Sequence, residues 1–117
     1  MANAAPVGSG WDVTNPKKPV VEQDPDASLI WQWDWSTWCT ERGTTIASVA
    51  ATAELPLLAA DEAVTDDDKG ALITVSIDPD EYDATAHLRK KFGVTCRVTS
   101  ADGQVDDMTF WFRLVEK

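Results

Sequence analysis

The chain is predicted to be all-β, an immunoglobulin-like antiparallel β-sandwich with a flexible N-terminal arm, and three observations predict it. Leu29, Trp31, Trp33 and Trp35 alternate with Ile30, Gln32 and Asp34, the period of two that sends one set of side chains to one side of a strand. Gly70–Asp78 repeats that period, with Ile73, Val75 and Ile77 on one side and Leu72, Thr74 and Ser76 on the other. Two further alternating runs, Val94–Thr99 and Thr109–Val115, flank Ser100-Ala101-Asp102-Gly103, an Asp-Gly hairpin signal. Short strands with short turns favour two packed sheets over a parallel sheet with helical crossovers, and a barrel is the alternative.

With 117 residues there is room for one domain, placed at 25–117, behind an arm at 1–24. The arm holds Pro6, Pro16, Pro19, Gly8 and Gly10, and its sizeable apolar groups are Trp11, Val20 and Val21. Such a segment buries too little by itself to offset its ordering entropy. It is expected to be either flexible or docked on a neighbouring subunit through Trp11.

Asp24-Pro25-Asp26 turns the chain into the tryptophan strand, whose rings are expected to be core. Trp35 and Trp38 are three apart, so one short helical turn capped by Asp34 or Ser36 brings Trp38 back to that core, and Glu41-Arg42-Gly43 is a second turn. Thr44–Ala53 reads as a strand, since its β-branched residues outweigh its alanines, and the small side chains leave room for rings opposite. Leu55–Ala60, interrupted by Pro56, is an edge strand or helical turn, and the acidic Asp61–Lys69 is an exposed loop without calcium-loop spacing. Tyr82–Lys91 carries a helical turn or two ending in Arg89, Lys90 and Lys91, where positive charge suits the helix dipole. In the closing hairpin, Trp111 falls on the face opposite Phe110 and Phe112 and needs a cover, either the arm or another subunit.

Twenty acids against ten Lys and Arg give a net charge of −10, which disfavours direct binding to nucleic acid or an anionic membrane. Met1–Gly10 lacks the basic start and apolar run of a secretory signal, and no stretch approaches the roughly 20 apolar residues of a span, so synthesis in a cytoplasm is expected. Cys39 and Cys96 are expected as free, buried thiols. His87 is the sole histidine and has no nucleophile pattern around it, and the glycines are not spaced as a phosphate loop. No catalytic residue, metal or cofactor is therefore expected. The candidate functional residues are protein-interface ones: Trp11, Val20, Val21, Arg89, Lys90, Lys91 and Trp111.

Asp24-Pro25-Asp26, Leu29, Asp34-Trp35-Ser36 with Trp38, Gly43-Thr44-Thr45-Ile46, and the late run from Val94 through Thr95, Cys96, Arg97 and Val98 to Gly103 and Asp107 resemble a family of small tailed-phage structural proteins described as phage fiber-tail adaptor proteins. The resemblance spans about Asp24 to Val115. Cys39 stands where that family usually has leucine, and Met108 replaces a late polar or basic position. The resemblance implies a non-enzymatic virion component, an adaptor or decoration protein at the tail, neck or capsid surface, made in a bacterial host cytoplasm. Its partners would be other virion proteins and copies of itself. Composition alone also admits an acidic nucleic-acid mimic, which needs acids lining one face, and a carbohydrate-binding module, which needs exposed tryptophans.

Overall fold

The computed structural model describes residues 3–116. Its strands are β1 (Ala5–Pro6), β2 (Val20–Gln23), β3 (Leu29–Asp34), β4 (Ile46–Ala53), β5 (Leu57–Val64), β6 (Gly70–Ile77), β7 (Lys91–Ser100) and β8 (Val105–Leu114), with helices α1 (Ser36–Arg42) and α2 (Ala84–His87). They form two four-stranded sheets, ordered β1-β3-β6-β5 and β2-β8-β7-β4, packed together as a β-sandwich. Among the described residues no helix is long and apolar enough to cross a membrane.

The period of two decides which residues meet between the sheets. Trp33 on β3, Ala71, Ile73 and Val75 on β6, and Leu57 on β5 face Val94, Cys96 and Val98 on β7 and Met108, Phe110, Phe112 and Leu114 on β8, all buried. Trp33 crosses the gap and stacks on Phe110, with centroids 4.4 Å apart and planes inclined by 17°. On β4, half-buried Ala51 and Ala53 present small side chains to this crowded interior, as interlocking large and small groups require.

After β3 the Asp34 carboxylate accepts the Ser36 N–H at 2.8 Å and starts α1, which runs for seven residues until Gly43 takes the left-handed conformation at φ 64°. This is longer than the single turn expected. The helix carries Trp38 inward, where its indole N–H donates to Asp106 on β8 at 2.9 Å while the Arg42 guanidinium lies 4.8 Å over its ring.

The N-terminal segment is not an arm over its described part. β1 pairs antiparallel with β3, β2 pairs parallel with β8, and the stretch between them carries Trp11 edge-on against Trp31, Phe110 and Phe112 at 5.4–6.0 Å. The segment starts on one sheet and ends on the other, closing the side of the sandwich where β3 and β8 would otherwise lie open. Gln23 locks it: its fully buried amide donates to the carbonyls of Val75 (2.9 Å) and Ala27 (3.2 Å) and accepts the Trp31 indole N–H (2.8 Å). A few well-placed side chains on pre-existing sheet edges replace the apolar periodicity that an independent element would need. The β2–β8 pairing also makes the sandwich not wholly antiparallel.

Two further expectations are corrected. The edge strand or helical turn expected at Leu55–Ala60 is the edge strand β5, which starts at Leu57 and reaches Val64 because Asp61, at φ 53°, opens a bulge between Ala60 and Ala63, after which pairing with β6 resumes. Only the tip of the acidic loop remains a turn. The helical turn expected within Tyr82–Lys91 is α2, but Arg89, Lys90 and Lys91 lie beyond its C-cap Leu88 and do not end it: Arg89 is left-handed at φ 67° and Lys91 begins β7.

Cys39 and Cys96 are buried free thiols. Burial pushes the Cys96 thiol up to about 12, against the opposing effect of the Trp35 indole, and burial also raises Cys39. The unfolded thiol ionises near ~8.5, so the fold retains a proton that the unfolded chain releases. Stability from this source is complete below that pH and is lost as pH rises towards the folded value, with a slope approaching about 1.4 kcal/mol per pH unit. Urea midpoints measured from neutrality to about two units above the unfolded thiol value should therefore fall more steeply for the parent protein than for Cys96→Ala. Parallel declines would disprove the assignment.

Candidate functional site

Five of the residues singled out from sequence, Val20, Arg89, Lys90, Lys91 and Trp111, line one concavity of about 620 Å³ on the outer side of the second sheet. Trp11 and Val21 do not reach it. Val21 is buried, and Trp11 is half-buried against the core rings, so both serve this chain's own packing.

The floor follows from strand parity. Trp111 points outward from β8 because its neighbours Phe110 and Phe112 point inward, and it lies between Val20 on β2 and Gly93 on β7. Glycine at that position is required by space, since a Cβ on Gly93 would stand 3.4 Å from the indole and 2.8 Å from the Thr109 methyl. Arg113, two residues beyond Trp111, shares its face and is half-buried.

One wall is the excursion from Asp12 to Val20, closed by two backbone hydrogen bonds between those residues at 2.7 and 3.0 Å and turned by the Lys18 N–H donating to the Asn15 carbonyl. It brings Thr14, Asn15 and Lys18 to the rim. Arg89–Lys91 form the other wall, pinned to the end of β8 by the Arg89 N–H to Leu114 carbonyl bond and by the Leu114 N–H to Lys90 carbonyl bond. Lys18, Arg89, Lys90, Lys91 and Arg113, half of the ten Lys and Arg in the chain, thus surround one indole. Asp12 is the carboxylate among the lining residues, and hydrogen bonds from Thr14 hold it below its ordinary value, with smaller help from Arg113 and Lys91.

The sequence reading missed Lys18, Asp12, Thr14, Asn15 and Arg113. Arg113 was legible, because alternation from Trp111 places it on the same face. Lys18 was not, since only the antiparallel bridge between Asp12 and Val20 brings it there.

His87 is engaged locally: its Nδ1 accepts the Asp83 N–H at 2.9 Å and its ring meets Phe92 edge-on at 5.5 Å. Among the described residues no group of three or more His, Cys, Asp and Glu converges as a metal site. What the concavity offers is recognition, a cationic rim around an apolar centre suited to an anionic surface with something flat or apolar in its middle. No family model, curated protein or solved structure matches the chain.

Proposed function

We propose that this chain is a non-enzymatic docking module, a structural component of a tailed-phage virion acting as an adaptor or decoration protein at the tail, neck or capsid surface. The observation that carries the docking reading is the concavity itself, which gathers five of ten cations around a half-buried tryptophan in a chain of net charge −10. Clustered like charge is unfavourable unless an anionic partner covers it. The virion placement is supported by the resemblance of the Asp24-Pro25-Asp26 and Asp34-Trp35-Ser36 stretches, here a turn closed by Asp24 and the start of α1.

The sandwich is read as immunoglobulin-like. Its sheet orders correspond to the arrangement in which the first strand is split between the two sheets and the remaining strands divide as B-E-D and G-F-C. A carbohydrate platform is disfavoured because Trp33, Trp35 and Trp38 are buried. An acidic mimic is disfavoured because the outer face of β3 and β6 presents Ile30, Gln32, Leu72, Thr74 and Ser76, with one acid, Asp34, at its end, while the opposite sheet carries the cations of the concavity.

Quantitative mass spectrometry of purified particles against infected-cell lysate tests the placement. A fixed copy number per particle is expected. Abundance in lysate with absence from particles would remove the virion reading and favour a soluble inhibitor.

A further inference from the structure

The cations of the concavity have a complement on the same chain. The β5–β6 hairpin ends in Asp66, Asp67 and Asp68, all exposed. Its tip is held rigidly: the Thr65 N–H donates to the Gly70 carbonyl at 3.1 Å, and the Asp68 carbonyl accepts the Ile46 N–H at 2.8 Å. That tie also fixes its place, because Ile46 pairs with Ser100 at the far end of β7 from Lys91. Ten strand residues separate the acidic tip from the cationic wall, about 30 Å at the rise of a strand. The tip cannot fold back into the concavity of its own chain.

We propose that the concavity receives the Asp66–Asp68 hairpin tip of a second copy of this chain, a head-to-tail contact. The proposal rests on the reading of the concavity as a protein-docking face and names its occupant. Both surfaces are preorganised, one on strand ends and the other on a tight hairpin, which lowers the ordering cost of association. Trp111 and Val20 supply an apolar centre inside the charged rim, the composition of a protein contact. A nucleic acid would run beyond the concavity onto a surface more acidic than the chain as a whole, whereas a hairpin tip ends within it. Since the two patches differ and lie at opposite ends, the contact is heterologous and repeats from copy to copy into a ring or an open filament.

Sedimentation velocity of the full chain tests this over a range of concentration at about 20 mM and about 0.5 M salt. Reversible association is expected at the lower salt and monomer at the higher. Lys90→Glu/Lys91→Glu and Asp66→Lys alter exposed side chains and leave Asp67, which accepts from the Thr65 hydroxyl and the Lys69 N–H, in place, so both should keep the parent circular dichroism and melting temperature, and each alone should weaken association at least about tenfold. Mixed together they should associate again, because the unaltered acidic tip of the first meets the unaltered concavity of the second, and the glutamates introduced in the first and the lysine introduced in the second are themselves opposite in charge. A monomeric parent at low salt, or association that neither variant changes, overturns the proposal. So does a labelled single-stranded oligonucleotide that binds the parent but not the Lys90/Lys91 variant in the absence of self-association. If the chain is monomeric yet present in particles at fixed copy number, the head-to-tail contact fails while the virion reading stands.

Discussion

Removal of residues 1–23 is expected to unfold the protein. The sequence alone points the other way, towards a nearly silent loss, because the segment has three prolines and no apolar periodicity. Its contacts decide otherwise. Trp11 is wedged among three core rings, and truncating a well-packed tryptophan costs about 3–5 kcal/mol. Loss of Gln23 removes the partner of the Trp31 indole N–H and a donor to the Val75 carbonyl, about 1–3 kcal/mol for each group left buried and unpaired. β8 also loses its neighbour along Trp111–Leu114, exposing an edge and the inner faces of Phe110 and Phe112. Together these reach the whole stability of a typical domain, about 5–15 kcal/mol. Proton NMR of the 24–117 chain should show collapsed amide dispersion. A dispersed spectrum and a urea midpoint equal to the parent's would restore the segment to the status of an arm.

Trp33→Ala is expected to destabilise by about 3–5 kcal/mol. Trp33 is fully buried and its ring stacks across the sheet interface on Phe110, so its removal opens a cavity bounded by two sheets that cannot both collapse into it. Ile30→Ala, on the same strand three residues earlier, supplies the contrast. Its side chain is 71% exposed on the outer face, and its loss should stay within about 0.5 kcal/mol. Equal effects for the two substitutions in chemical denaturation would mean that the alternation from Leu29 to Trp35 does not define an inner and an outer face.

The residues around Trp111 show where sequence legibility ends. Alternation put Trp111 opposite Phe110 and Phe112, and the cationic run at Arg89–Lys91 was visible as composition. Their meeting was not, because it depends on β7 beginning at Lys91 beside Arg113 and on the Arg89 backbone bonding the end of β8. The acidic stretch behaved similarly. Asp61 and Glu62 looked like loop, yet a bulge lets an edge strand carry them outward while pairing continues on either side.

By itself the sequence determined the strands whose pattern is local: the tryptophan strand, Gly70–Ile77, the closing hairpin, the buried parity of each except at the start of the tryptophan strand, where Leu29 is exposed and Trp31 half-buried, and the inward return of Trp38. Period-two alternation, an Asp-Gly turn and an Asx start to a helix act over a few residues and need no knowledge of neighbours. Tertiary structure alone decided the role of residues 3–24 and the assembly of the cationic concavity. Two- and four-residue strands have no pattern of their own, and they form because β3 and β8 already present unpaired backbone and a gap between rings that Trp11, Val21 and Gln23 fill.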